Sequence, residues 1–159
     1  QSKINLVEDS VLKKWDILTG KEKKILPENL IFFGVRDTEK QEDEMMKRLN
    51  LRNYSVEEIR SKGIQKCVIE SLKLLKECEL IYISFDVDSL DSSISKGTGT
   101  PVPNGFSISE IKNLLKYFFM SEKICCFEIT EVNPTLDNKG NKMAEIAFDI
   151  LENTISNIN

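Results

Sequence analysis

The sequence predicts an α/β protein in which helices cover the faces of a parallel sheet, the three-layer αβα arrangement. Short, continuous apolar runs alternate along the chain with segments whose apolar residues recur at helical spacing. The runs are apolar throughout rather than alternating with polar residues, which is typical of strands buried on both faces of a parallel sheet. With 159 residues, of which 40% are hydrophobic, we expect one domain over 1–159 that can bury a core.

The first third of the chain predicts two helices around one strand. Residues 10–18 space their apolar side chains helically, and the pattern stops near Gly20. Residues 29–34 form an apolar run that is too short for a helix and rich in aromatic and branched residues, so we expect a strand there. A helix is expected over 39–49.

A helical segment follows from a capping-box pattern. In that pattern the Ser55 hydroxyl accepts from the backbone of Glu58, and the Glu58 side chain reaches back to the start of the helix. Gly63 is expected to end this turn. Apolar residues at helical spacing then predict a helix over 64–76 that lies on a sheet.

The second half of the chain repeats the alternation of strand and helix. Residues 80–85 are the clearest strand. Ser107 and Glu110 form a second capping box, which opens a helix with an apolar face. A strand over 124–129 and a helix over 143–155 complete the pattern.

Composition excludes several classes of chemistry. The chain has no histidine, so a Ser-His-Asp or Cys-His system, a His-bearing zinc motif and an imidazole base cannot come from these residues alone. The net charge is only -4 and no basic stripe is present, so nucleic acid is not an expected partner. No apolar run approaches the roughly 20 residues that span a bilayer, so no membrane contact is expected.

The four cysteines, Cys67, Cys78, Cys125 and Cys126, have no metal-ligand or disulfide spacing, and we expect reduced core residues. No signal peptide is visible, and we expect a reducing, cytoplasmic compartment. The chain opens with Gln1 and is expected to be part of a longer protein.

Acidic residues follow each of the three predicted strands, and ligands bind at the carboxyl ends of parallel strands. The sharpest pattern is Asp86-x-Asp88, because residues two apart on an extended strand point to the same side and two carboxylates can converge on one Mg²⁺ or Mn²⁺ ion. The structural alternative is that one Asp caps the next turn and the other is merely exposed. Mutual repulsion is expected to raise the pKa of at least one of the two.

The loop over 96–105 is rich in glycine and proline. By itself it fits either an ordered structural loop or a phosphate cradle. Its spacing matches neither a Walker loop nor G-x-G-x-x-G, which favours the structural interpretation.

Three motifs follow one another in the second half of the chain: S-F-D-V-D-S-L-D at 84–91, G-T-G-T-P-V-P at 97–103 and E-V-N-P at 131–134. In this order and spacing they resemble the carboxyl-terminal half of the arginase family of ureohydrolases. The stretch F-G-V-R-D at 33–37 also resembles a strand exit of the family, and order and spacing agree from about residue 29 to 151.

The resemblance implies a binuclear manganese enzyme that hydrolyses a guanidino group, with L-arginine to L-ornithine and urea as the expected reaction. Asp86 and Asp88 would ligate the metal, and Asp86 and Glu131 would be catalytic. Glu131 would also hold the guanidinium, for which a carboxylate is the natural planar partner. Thr100 would line the substrate pocket. Glu39 stands where arginases usually carry an Asp that helps to recognise the amino-acid end of the substrate.

In the family, the amino-terminal half supplies a histidine ligand, a D-x-H-x-D ligand cluster and a histidine that shuttles protons, and this chain contains none of them. The 159 residues therefore resemble an incomplete, carboxyl-terminal part of the enzyme, which we expect to be inactive alone. The resemblance also implies a homo-oligomer, commonly a trimer. Three alternatives stay open: an agmatinase or formimidoylglutamase, a magnesium-dependent phosphoryl-transfer enzyme, and an inactive binding module with an acidic pocket.

Overall fold

The structure, a computed structural model, describes residues 9–20, 25–138 and 140–156. Its helices and strands follow the predicted order with one addition. In chain order they are α1 Asp9–Thr19, β1 Ile31–Phe33, α2 Lys40–Arg48, β2 Arg52–Tyr54, α3 Val56–Lys62, α4 Ile64–Leu74, β3 Ile81–Asp86, α5 Ile108–Phe118, β4 Ile124–Thr130 and α6 Lys142–Ile155. The α/β class expected from the sequence is therefore confirmed.

The parallel sheet is present in two pieces of two strands each. β1 pairs with β2, and β3 pairs with β4, and both pairs are parallel. The described strands therefore form two separate parallel pairs. The two pairs share a core, because Tyr54 of β2 lies in the same buried cluster as Phe85 of β3, and Phe33 of β1 meets Phe118 of α5 edge-on at 5.4 Å.

The addition is β2, which the sequence did not predict. Its three residues are too few to show a periodic pattern, and two of them, Arg52 and Asn53, are polar. Tertiary contacts hold it: Tyr54 is 1% exposed, and the Arg52 guanidinium lies 3.6 Å above its ring.

Helices α3 to α6 pack on one face of the β3–β4 pair. The inward side chains of β3 are Ile81, Ile83 and Phe85. Phe85 belongs to a buried cluster, and Ile83 packs against it; the helical members of the cluster include Ile59, Cys67, Ile111, Leu115, Ile146 and Ile150. The alternate residues of β3, Tyr82, Ser84 and Asp86, are exposed.

Of the two predicted capping boxes, one forms completely. Ser107 Oγ accepts from the Glu110 N–H at 3.2 Å, and Glu110 Oε2 accepts from the Ser107 N–H at 2.7 Å. At α3, Ser55 Oγ accepts from the Glu58 N–H at 3.1 Å, but the Glu58 carboxylate pairs with Arg52 instead of reaching back. A carboxylate binds a charged guanidinium more strongly than a neutral backbone N–H. Glu58 therefore pairs with Arg52, and the capping box is only half formed at α3.

The cysteines are free, as expected, but only part of the prediction that they lie in the core was right. Cys67 is buried, whereas Cys125 and Cys126 are exposed. The β3–β4 register is irregular: Ile81 faces Ile124 while the next residue, Tyr82, faces Cys126. Cys125 is thus an extra residue on β4, a bulge, so consecutive side chains do not alternate between core and solvent.

Within the described segments, no helix combines the length and the apolar character needed to cross a membrane.

Candidate active site

Strands β3 and β4 end side by side, and their ends carry the acidic residues singled out in the sequence. Asp86, the last residue of β3, is the register partner of Thr130, the last residue of β4. Glu131 follows Thr130 directly, and Asp88 lies two residues beyond Asp86. The structure therefore brings Asp86, Asp88 and Glu131 to one edge of a parallel pair of strands, as the sequence predicts.

The two aspartates are placed by a tight turn rather than by an extended strand. Residues Val87–Ser89 form a single turn of 3-10 helix, which Asp86 caps by accepting the Asp88 N–H on Oδ1 at 2.8 Å. The same-side argument for an extended D-x-D was therefore wrong in its geometry, because Asp88 lies in the turn. The structural alternative holds for one residue, since Asp86 does cap the turn.

Asp88 is not merely exposed, because the glycine-rich loop closes over it. Its Oδ1 accepts a hydrogen bond from the Thr98 hydroxyl and a longer one, 3.4 Å, from the Thr100 N–H. Thr98 is 2% exposed, whereas the Thr100 side chain is exposed. The loop thus orients a carboxylate, and the sequence reasoning singled out Thr100 but missed Thr98. Which threonine is buried beside Asp88 depends on how the loop folds, so the sequence pattern does not indicate it.

Glu131 has an unusual backbone. Its φ is 64°, a left-handed conformation that few side chains other than glycine and asparagine adopt. Such strain persists where the surrounding structure imposes it, and it is common at functional sites. Glu131 Oε2 would lie 3.7 Å from a Cβ added to Gly99, so the carboxylate sits over the loop that carries Thr98 and Thr100.

A backbone hydrogen bond joins the two loops at this edge. The Asn133 N–H donates to the Gly97 carbonyl at 2.8 Å. The E-V-N-P turn and the G-T-G-T loop are therefore held against each other. Asn133 also caps its own turn, with Oδ1 accepting from the Thr135 N–H at 3.1 Å.

The three acids influence one another electrostatically. Burial raises the pKa of Asp86, and the negative charges of Asp88 and Glu131 raise it further, while the hydrogen bond from the Asp88 N–H opposes the increase. The expected direction is confirmed, but burial contributes more than the predicted repulsion. The carboxylate still reaches solvent, so the edge is negatively charged and open to a cation.

Glu39 lies at a different element, the start of α2. It is exposed, and its N–H donates to Glu42 Oε2 at 2.8 Å, which caps the helix. The loop before it approaches the β3 exit through Arg36, which donates to the Asp88 carbonyl at 3.0 Å. The sequence reasoning gave Arg36 no role.

The donor set fits part of a divalent metal site. Asp86 and Asp88 offer carboxylate oxygens, the ligands that hard divalent cations prefer. Among the described residues, however, no three or more His, Cys, Asp or Glu side chains are grouped to hold a metal ion. Two carboxylates offer too few oxygen atoms to complete the coordination of one such ion, so the described residues supply only part of a site.

The fold and the edge together define a class of protein. The Arginase family model matches residues 17–156, and the chain belongs to this family. Curated relatives agree: the arginase of Bacillus subtilis is 33% identical over 138 residues, which cover 87% of this chain and 46% of the relative. The arginase of Plasmodium berghei is 35% identical over 113 residues, covering 70% of this chain and 32% of the relative.

Solved structures give the same result. The arginase of Helicobacter pylori superposes with a TM-score of 0.79 at 33% identity, covering 86% of this chain and 46% of that one. The formimidoylglutamase of Bacillus subtilis superposes with a TM-score of 0.76 at 27% identity, covering 82% of this chain and 41% of that one. The chain thus spans less than half the length of these relatives.

Proposed function

We propose that this chain is the carboxyl-terminal part of a manganese-dependent ureohydrolase that converts L-arginine to L-ornithine and urea. The observation that carries the proposal is the meeting of Asp86, Asp88 and Glu131 at the shared end of β3 and β4 in a chain of the arginase family. In this proposal the 159 residues form one part of a single domain and are inactive alone, since the part of the chain that the structure describes groups too few ligands for a metal ion.

Each acid has a separate task in this proposal. Asp86 and Asp88 hold manganese, which when bound lowers the pKa of water and so supplies a nucleophile at neutral pH. Thr98 fixes the Asp88 carboxylate by donating its hydroxyl proton to Oδ1. Glu131 binds the planar guanidinium through two parallel charged hydrogen bonds, and it turns the reacting carbon towards Asp86.

Two further residues contact the substrate. Thr100 lines the pocket beside Asp88, to which its N–H is bonded at 3.4 Å. Glu39 recognises the amino-acid end of the substrate from the start of α2. The longer reach of a glutamate, compared with the aspartate usual in arginases, changes the length of substrate that fits best.

A formimidoylglutamase is the second candidate, and the structural similarity to that enzyme supports it. Both reactions hydrolyse an amidine-type group, so the same three acids serve either one. The higher identity of the arginase relatives favours arginine. Family membership favours amidine hydrolysis over magnesium-dependent phosphoryl transfer and over an inactive binding module.

The assembly and compartment of the whole protein belong to the proposal as well. A homo-oligomer, possibly a trimer, follows from the family resemblance. A reducing cytoplasm fits the four free cysteines, two of which are exposed.

The test is the Glu131→Gln variant of the manganese-loaded protein that contains this chain. It keeps the size of the side chain but removes the charge, so kcat/KM for arginine should fall at least about tenfold, as expected when a charged hydrogen bond is lost. Bound manganese, measured by elemental analysis, should be unchanged. Agmatine and formimidoylglutamate assayed beside arginine identify the substrate.

Glu128→Gln provides the matched control. Glu128 also lies on β4, but before the end of the strand where the three acids meet. It hydrogen-bonds Tyr82 and raises the pKa of that side chain to about 12. This variant should retain normal urea release. Normal kcat/KM in the Glu131 variant with manganese bound would remove Glu131 from the site.

A further inference from the structure

We propose that Arg36 is a positioning residue that holds the loop carrying Asp88, Thr98 and Thr100 in its active conformation. The inference rests on the proposed function, since it assigns a task within that same site. Arg36 touches no reacting group and acts through the backbone of the loop.

The Arg36 guanidinium donates to a cluster of backbone carbonyls. Nη2, which carries two hydrogens, lies 2.8–3.0 Å from three of them, so two of these carbonyls share a hydrogen. Nε bonds to a fourth at 3.1 Å, and Nη1 lies 3.3 and 3.4 Å from two more. The acceptors belong to Asp88, Leu90, Val102, Pro103, Gly34 and Ser89.

These carbonyls come from both ends of one loop. Asp88, Ser89 and Leu90 begin the segment that leaves β3, and Val102 and Pro103 lie near its return. Thr98 and Thr100, whose donors orient the Asp88 carboxylate, lie between the two ends. A single side chain therefore fixes the separation of the ends and, with it, the position of the residues between them.

Arg36 also joins the two pieces of sheet. It follows β1, whereas five of its six acceptors follow β3. Gly34 allows this approach, because its φ is 76° and an added Cβ would lie 2.4 Å from a ring carbon of Phe106. The chain turns at Gly34, where it packs against the Phe106 ring. This turn brings the Arg36 side chain to the carbonyls of the segment that follows β3.

The geometry requires arginine in particular. A guanidinium has five donors in a planar fork, whereas a lysine ammonium has three donors on a single nitrogen. Lysine would restore the charge but could not bridge both ends of the loop. Backbone hydrogen bonds between the ends, such as Ser92 N–H to Val102 O at 3.2 Å, persist without Arg36, so the loop loosens while the core remains folded.

The test compares Arg36→Gln and Arg36→Lys with Arg52→Gln in the metal-free protein that contains this chain. Arg52 is the matched control, because it stacks on Tyr54 and pairs with Glu58 without contacting the β3 exit. Both Arg36 variants should speed hydrogen exchange over 88–103 at least about tenfold relative to α6, as loss of charged hydrogen bonds predicts. Arg52→Gln should leave that ratio unchanged.

Two functional readouts complete the test. The manganese concentration for half-maximal urea release should rise about tenfold in both Arg36 variants and stay constant in Arg52→Gln at equal thermal stability. Faster exchange without any urea release from the parent protein would overturn the proposed function but keep the structural role of Arg36. Unchanged exchange over 88–103, rescue by lysine, or unfolding of both variants would overturn the assignment of Arg36.

Discussion

At the scale of single residues, the site depends on two backbone features that few side chains tolerate. Glu131 holds a left-handed conformation at a φ of 64°. Gly97 lies where a Cβ would be 2.7 Å from both Asp137 Oδ2 and Met143 Cβ. Both residues belong to the loops joined by the bond between Asn133 and Gly97, so a change at either one reaches the acidic edge.

Replacing Glu131 by glycine should stabilise the protein while removing a site residue. Glycine adopts a positive φ without the steric cost of a Cβ, so we expect Glu131→Gly to be about 0.5–1 kcal/mol more stable than Glu131→Gln. Midpoints of urea unfolding measure the difference. Both variants lack the charge, so the comparison isolates the backbone.

Asn104→Gly is the control for that comparison. Asn104 has the same φ of 64°, but asparagine tolerates this region, so its gain should be smaller. An equal gain at both positions would mean that the Glu131 backbone carries no special strain.

Gly97→Ala should destabilise the protein. The new methyl group would force Asp137 or the start of α6 to shift, at a cost of about 1–3 kcal/mol in the free energy of unfolding. Gly99→Ala is the control, since its Cβ would meet Glu131 Oε2 at an ordinary 3.7 Å. Equal stability of the two variants in urea would show that the loop yields freely at Gly97.

At the scale of helices and strands, the elements with a local signature were predictable. The capping box at Ser107 and Glu110 places the start of α5 correctly, because both partners lie within four residues of each other. The features that were missed depend on distant partners. Strand β2 forms because Tyr54 stacks on Phe33, and the Glu58 side chain turns away from its own helix because Arg52 is close.

The site follows the same division. Asp86, Asp88 and Glu131 were predictable, because each follows an apolar strand and parallel strands end at one edge. The roles of Thr98 and Arg36 were not predictable. Both side chains hydrogen-bond Asp88, which lies 10 residues from Thr98 and 52 residues from Arg36 along the chain. Arg36 donates to backbone carbonyls, and because every residue has a carbonyl, such hydrogen bonds leave no pattern in the sequence.

The start of α5 predicts a pH dependence of stability. Arg60 donates to the Glu110 carboxylate at 2.7 and 3.0 Å, and this bond, with the Ser107 N–H, lowers the pKa of Glu110 to about 2. A carboxyl whose pKa is lowered by folding contributes stability above its unfolded pKa of 4.5 and loses it as the pH falls towards 2.

Glu110→Gln should therefore cost about 1–2 kcal/mol at pH 7, since Arg60 is half exposed and the cap is partly retained. The cost should shrink between pH 4.5 and 2, as measured by urea unfolding at several pH values. Glu145→Gln, which removes an exposed partner of Lys142 at 3.8 Å, should change little at any pH. A constant cost for Glu110→Gln down to pH 2 would contradict the ion pair as its cause.

At the scale of the whole molecule, the described helices cover one face of the β3–β4 pair and leave Leu80 and Tyr82 exposed on the other. Helices α3 to α6 bury Ile83 and Phe85 of β3, but Tyr82 on the opposite face is 54% exposed. Leu80, just before the strand, is 65% exposed. Parallel sheets are normally covered on both faces, so Leu80 and Tyr82 lie exposed where a stable αβα domain would bury them.

A protein made of these 159 residues alone should therefore self-associate through the face that exposes Leu80 and Tyr82. We expect it to bind the apolar dye ANS and to show a sedimentation coefficient that rises with concentration, because contact between copies removes apolar area from water. The double variant Leu80→Lys/Tyr82→Lys should reduce both signals by placing charges on that face. Met120→Lys is the control, since Met120 is 74% exposed at the end of α5, away from the strands. If Met120→Lys reduced both signals as much as the double variant, exposed apolar residues in general, and not the uncovered face of β3 and β4, would be responsible.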